Sequence, residues 1–195
     1  RSTTLFNNGG VALDWADTGL VETTANMFYI AEDFNLDVST WDMSSNATML
    51  NMFRSTTLFN NGGVALDWAD TSSLLSVSSM FEQAVAFNES IDFNLSTVTN
   101  FISMMEGAAA FDQDVSSWDV SSGQYLSDLF RLTVAFDQDV SSWDTSSATS
   151  MSSMFASSNF SNNGQPLTGG TAGEWTVSGV TDFLSMFSAC DFNGD

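Results

Sequence analysis

Residues 111–136 read FDQDVSSWDVSSGQYLSDLFRLTVAF, and at residue 136 the chain starts again as FDQDVSSWDTSSATSMSSMF. Nine identical residues return after one step of 25. A second, longer identity, RSTTLFNNGGVALDWADT, occurs at Arg1 and again at Arg54. Working outward from these copies, a Met-Phe anchor or an apolar substitute falls at Met27-Phe28, Met52-Phe53, Met80-Phe81, Met104-Met105, Leu129-Phe130, Met154-Phe155 and Met186-Phe187. The steps between them are 25, 28, 24, 25, 25 and 32 residues. A further Phe follows each anchor by five or six residues: Phe34, Phe59, Phe87, Phe111, Phe136, Phe160 and Phe192. An aromatic precedes each by 12 or 13: Trp15, Trp41, Trp68, Phe93, Trp118, Trp143 and Trp175. A fixed period of this length marks stacked coils, each burying its apolar face only against its neighbours.

Within one coil, Val115, Trp118 and Val120 have the spacing of the inward residues of a leucine-rich repeat, with Ser117, Asp119 and Ser121 between them. That alternation predicts a short parallel strand. A Ser-Ser start and apolar residues spaced three, three and one, as in Val98, Phe101, Met104 and Met105, predict a short helix. The expected fold is therefore an α/β repeat: a leucine-rich-repeat-like solenoid of about seven to eight coils, one short parallel strand and one short helix in each. Residues 1–195 form a single array. Its phase suggests a fragment of a longer repeat protein, because the chain starts and stops within a coil. The 32-residue step holds Pro166, the single proline, and predicts a protruding loop over 159–174. The phase assigns the tryptophans and anchor methionines to the core, and the turn asparagines (Asn7, Asn35, Asn60, Asn88, Asn193) to a structural ladder.

The 195 residues carry 24 acidic side chains against three arginines, with neither lysine nor histidine, for a net charge of −21. Without a basic footprint, nucleic acid is excluded as a partner, as are anionic membrane surfaces. No apolar run reaches the roughly 18 residues a membrane span needs. Cys190 is the one cysteine, so no internal disulfide forms; it reads as a buried free thiol or one that pairs outside this segment. Hydrophobic residues make up 43% of the chain, which argues against disorder despite the charge. Four sequons begin at Asn46, Asn88, Asn94 and Asn159, usable only where exposed in a secretory pathway.

The units MFEQAVAFN, FDQDVSSWDVSS and FDQDVSSWDTSSATSMSSMF resemble the BspA-like leucine-rich-repeat surface proteins over the whole chain. Phe93, Met105, Leu129 and the long step depart from that pattern. The resemblance implies an extracellular or cell-surface array, often adhesive, with no catalytic residues to carry over.

Only the acids offer chemistry. Asp112 and Asp114 recur as Asp137 and Asp139, and stacking would set like charges side by side. Two charges about 5 Å apart repel by roughly 3 kcal/mol at an effective dielectric near 20. Two readings compete: a Ca²⁺ site on Asp112, Asp114, Asp137 and Asp139, or a solvated acidic edge. No other cofactor is indicated. Catalysis is not expected, since no histidine or lysine is present and the acids repeat with the coil. The expected function is a non-catalytic scaffold for adhesion or for binding a protein or glycan at a cell surface or matrix. Its outward surface would be Ser117, Asp119, Ser121, Ser142, Asp144 and Ser146. A calcium-dependent or glycan-binding module, and an ice-binding solenoid, are the alternatives; a carboxylate-based hydrolase ranks behind them.

Overall fold

The computed structural model describes residues 6–13, 15, 17–167 and 175–193. Successive coils stack in register, but each coil is built from turns. The regular elements are three single 3₁₀ turns, Asn8–Gly10, Asn61–Gly63 and Asn162–Gly164. Isolated parallel bridges join the coils through Thr23, Thr48, Ser76, Asn100, Tyr125, Ser150 and Asp182 in sequence. No α-helix or β-strand occurs among the described residues. The expected leucine-rich-repeat solenoid, with one strand and one helix per coil, is therefore corrected to a stack of turns.

The anchor segment shows why no helix forms. Asn51, Phe53 and Ser55 each donate a backbone N–H to the next coil, at Ser78, Met80 and Glu82. The residues between them close turns within their own coil: Met52 to Met49, Arg54 to Asn51 and Thr56 to Phe53. N–H groups thus alternate between neighbour and self, whereas a helix directs every one to the residue four back. Two left-handed residues per coil enforce the alternation. They sit at Asn26 and Ile30, Asn51 and Ser55, Ser79 and Gln83, Ser103 and Gly107, Asp128 and Leu132, Ser153 and Ser157, and Ser185 and Ala189. The first of each pair is Asn, Ser or Asp, short polar side chains that suit turns. The chain tolerates Ile30 there at a β-branched residue's usual penalty.

The expected strand resolves in the same way. Val115, Trp118 and Val120 are buried while Ser117 and Asp119 are exposed and Ser121 is half-buried. The backbone, however, turns twice: Trp118 N–H donates to Val115 and Gly123 N–H to Val120.

The core is a set of aromatic columns along the stack. One runs unbroken through Phe6, Phe34, Phe59, Phe87, Phe111, Phe136, Phe160 and Phe192, with ring centroids 5.8–6.1 Å apart. The anchor phenylalanines form a second column beside it, interrupted where Met105 replaces Phe. Within a coil the two rings lie face to face, 3.9 Å apart for Phe53 and Phe59 and again for Phe130 and Phe136. Each fully buried ring contributes roughly 1.5–3 kcal/mol by area alone, and stacking adds about 0.5–1.5 kcal/mol.

A third column holds the tryptophans. Trp41, Trp68, Trp143 and Trp175 each donate Nε1–H to a carbonyl of the preceding coil, at Leu13, Val38, Val115 and Val140. Trp118, which follows the coil carrying Phe93, has a buried Nε1 with no partner. The anchor methionines are buried, except Met27 in the first described coil.

Of the expected loop, Phe160 joins the ring column, Asn162 is buried and Leu167 packs on the core, while Asn159, Asn163 and Gly164 are exposed. Gln165 and Pro166 are exposed, and residues 168–174 lie outside the described residues. Cys190 is half-buried rather than buried, and its Sγ–H donates to the Phe187 carbonyl at 3.2 Å.

Candidate functional site

The acids are placed by short-range hydrogen bonding. In an Asp/Asn-x-Ser triplet the first side chain accepts the N–H of the Ser, closing an Asx turn, and the middle residue points into the core. Asp42, Asp70, Asn94, Asp114, Asp119, Asp139 and Asp144 all do this, accepting from Ser44, Ser72, Ser96, Ser116, Ser121, Ser141 and Ser146 at 2.8–3.1 Å. Five of these share one register, directly after the Trp column or close to it: Asp42, Asp70, Asn94, Asp119 and Asp144.

Asp112 and Asp137 do something different. They continue the asparagine ladder, whose members each follow a turn Phe. Asn7 Oδ1 accepts Asn35 N–H, Asn35 accepts Asn60, Asn60 accepts Asn88, and Asn88 accepts Asp112, at 2.7–3.2 Å. Asp112 Oδ1 then accepts Asp137 N–H and Gln138 Nε2–H, and Asp137 Oδ1 accepts the N–H groups of Ser161 and Asn163. Asp112 and Asp137 spend a carboxylate oxygen on the next coil, while Asp114 and Asp139 spend one on their own turns. Among the described residues, no three His, Cys, Asp or Glu side chains gather as a metal site.

The outward set divides on inspection. Ser117, Asp119, Ser142 and Ser146 are exposed, whereas Ser121 and Asp144 are half-buried. Shallow clefts run between successive turns on this face. One of about 320 Å³ is lined by Asp92, Asn94, Ser117, Trp118 and Asp119 among others. Its counterpart two coils earlier, about 490 Å³, is lined by Thr40, Asp42, Asp67 and Asp70.

The sequons also divide. Asn46 is fully buried, which bars it from glycan attachment in the folded chain, and Asn88 is a ladder member. Asn94 and Asn159 are exposed. Sequence reasoning passed over Asn61 and Asn162. Each accepts a buried N–H from a preceding coil, Val38 and Val140, and donates Nδ2–H to a carbonyl three residues on. The signal was the thrice-repeated Asn-x-Gly at 8–10, 61–63 and 162–164.

The arginines lie on another edge. Arg54 pairs with Glu82 at 2.7 Å and stands over the Tyr29 ring, and Arg131 pairs with Glu106 at 2.5 Å. Half-exposed pairs such as these contribute little.

Hydrogen bonds from the Ser two residues on hold Asp42, Asp70, Asp114 and Asp144 below the usual carboxylate pKa. Desolvation, then the nearby Glu106, raises Asp128 above it, against the opposing pull of Arg131. A lowered pKa contributes stability above the unfolded value of 3.8 that is lost as pH falls through the folded value. Asp128 has the opposite sign: its contribution is present at low pH and is lost as pH rises through its raised value. The four lowered groups outnumber it, so the melting temperature should drop below about pH 4. The double variant Asp114→Asn, Asp144→Asn keeps the acceptor for each Ser N–H and should flatten that limb. A melting curve against pH with equal slopes in both proteins would rule the account out.

What the fold and this face define is a repeat protein of stacked turns with regularly spaced acids. The family described as "Mycoplasma protein of unknown function, DUF285" matches residues 2–92 and 64–167, and the chain belongs to it. No curated protein and no solved structure matches. The family description assigns no activity, ligand or location and names no link to the BspA-like proteins, so the expected extracellular, adhesive and calcium-binding properties draw no support from it. No helix among the described residues is long and apolar enough to cross a membrane.

Proposed function

We propose that the chain is a non-catalytic repeat scaffold that binds a basic segment of another protein along the turns beside its tryptophans. One observation carries this reading: Asp42, Asp70, Asp119 and Asp144 recur at one register, each pinned in an Asx turn, and the first three line shallow clefts. Pinned carboxylates meet a cationic partner without first losing side-chain entropy. The net charge of −21 adds long-range attraction for such a partner. Even spacing along the stack suits an extended ligand; a hydrolase would instead need an asymmetric pair of carboxylates within one cleft.

The test is the anisotropy of a labelled Lys/Arg-rich peptide at about 150 mM salt, where exposed charges beyond roughly 8 Å are screened. The triple variant Asp70→Asn, Asp119→Asn, Asp144→Asn should weaken binding about tenfold or more, some 1.4 kcal/mol. A control with the same charge change elsewhere, Glu22→Gln, Glu32→Gln, Asp191→Asn, should stay within about twofold. Equal losses in the two would reduce the interaction to bulk charge and refute the assigned face.

A further inference from the structure

Six interfaces join the seven described anchor coils, and two of them are built differently from the rest. In the other four, an anchor ring stacks on the anchor ring of the next coil and an indole N–H crosses to a carbonyl. The ring pairs are Phe28 with Phe53, Phe53 with Phe81, Phe130 with Phe155 and Phe155 with Phe187, their centroids 5.6–5.9 Å apart. The indoles are those of Trp41, Trp68, Trp143 and Trp175. The coil from Phe93 to Phe111 has neither tie on either side. Met105 stands at its anchor, so no ring lies between Phe81 and Phe130. Phe93 stands at its tryptophan position and has no N–H to give to the coil before it. Trp118, in the coil after it, has an indole N–H but no acceptor for it.

Charge marks the same place. Arg54 pairs forward with Glu82, and Arg131 pairs back with Glu106. Glu82 and Glu106 share one register on adjacent coils, because the N–H groups of Phe81 and Gln83 donate to the Met104 and Glu106 carbonyls. Both arginines therefore lie on the outer sides of this glutamate pair, and like charges are neighbours across the interface between them. What remains is the backbone and one ring column. Phe101, Ser103, Met105 and Gly107 still donate to the next coil, and Phe111 still stacks between Phe87 and Phe136 at 6.0 and 6.1 Å. The coil is thus held in register while lacking the side-chain ties that couple every other described pair.

We propose that the coil from Phe93 to Phe111 is a built-in seam, where the folded stack opens ahead of its flanks and separates into two blocks. In a stack held by nearest-neighbour contacts, the coil with the weakest contacts on both sides sets where local opening occurs. Met105 suits such a place: it is fully buried and leaves no void, but a thioether chain is more adaptable than a ring. The seam also falls where the outward register holds Asn94 in place of an aspartate. Asp42 and Asp70 lie on one block, and Asp119 and Asp144 on the other. Opening therefore moves one acidic pair relative to the other, and it does so whatever that row binds.

Native-state hydrogen exchange followed by mass spectrometry tests this directly. Residues 77–83 and 101–107 carry the amides that bond across the two seam interfaces, and residues 49–55 and 126–132 carry their equivalents on either side. The seam amides should be about tenfold or more less protected than those equivalents, a difference of some 1.4 kcal/mol. A stack of equal coils frays from its ends and protects its middle, so this order cannot arise from fraying. The double variant Phe93→Trp, Met105→Phe restores the residue types that the other coils carry at these registers. It should bring the seam amides to within about threefold of their equivalents. If the double variant does not fold, Met105→Phe alone replaces it and should recover part of the protection. Seam amides as protected as their flanks in the wild type overturn the proposal. So does a folded repaired variant whose seam exchanges at the wild-type rate.

Discussion

Phe59→Ala should lower the unfolding free energy by about 3–5 kcal/mol, the range for removing a large aromatic from a packed interior. Phe59 is fully buried at the centre of the stack and touches rings on every side. It lies face to face with Phe53 at 3.9 Å and is bracketed along its column by Phe34 and Phe87, each at 5.8 Å. Truncation removes the ring's own burial and the stacking of all three partners. Such a stack holds together only through neighbour-to-neighbour contacts, so a gap at one coil weakens the coupling of everything on either side of it. Urea unfolding should therefore show a lower midpoint and a broader transition than the wild type. Phe6→Ala provides the internal comparison. Phe6 belongs to the same column but is 36% exposed at its open end, with rings on one side only. Its loss should cost no more than about 1.5 kcal/mol, in line with partial burial. Equal costs at the two positions would mean that coil-on-coil stacking is not the source of the stability.

The same columns explain how much of the fold the sequence disclosed. A ring that stacks on its own copy needs that copy at the same place in each coil, so the period, the core and the Trp and Met assignments were legible from Phe34, Phe59 and Phe87 alone. The local backbone was not. Residues Met49, Met52, Phe53 and Thr56 point inward at spacings of three, one and three, the signature of an amphipathic helix. Here they are generated by consecutive turns that each close over three residues. Nothing in the spacing separates the two, because both return the chain to the same face every three to four residues. The distinction lies in Asn51 and Ser55, whose left-handed backbone releases every second N–H to the neighbouring coil. Asn and Ser at such positions read equally well as helix caps. Part of the acidic pairs also belongs to the ladder. Asp112 and Asp137 occupy the register of Asn35, Asn60 and Asn88, where an acceptor oxygen is what the next coil requires and charge is incidental. That register was visible in the sequence, since each of these residues follows a turn Phe.

Asn61→Leu should destabilise the protein by about 3 kcal/mol, although it exchanges one side chain for another of similar volume. Asn61 is fully buried and joins two coils. Its Oδ1 accepts the buried N–H of Val38 at 2.9 Å, and its Nδ2–H donates to the Val64 carbonyl at 2.8 Å. Leucine can do neither, leaving a buried donor and a carbonyl without partners at about 1–3 kcal/mol each. The backbone adds to the cost. Asn61 has φ +45°, followed by Gly62 at +65° and Gly63 at +83°. Asn tolerates that region where leucine does not, a difference of roughly 1 kcal/mol. The repeat supplies its own controls. Asn162 makes the equivalent bonds to Val140 and Gln165 and is also fully buried, so Asn162→Leu should match Asn61→Leu. Asn8 has the same local turn and donates to the Val11 carbonyl, but it is exposed and accepts no N–H from another described coil. Asn8→Leu should therefore cost only the local part, about 1 kcal/mol, chiefly from its left-handed φ. Thermal and urea unfolding of the three variants measure the ranking. If Asn8→Leu proves as damaging as the other two, the local turn is what matters, and the bridge from Asn61 to the coil before it contributes nothing to holding the stack together.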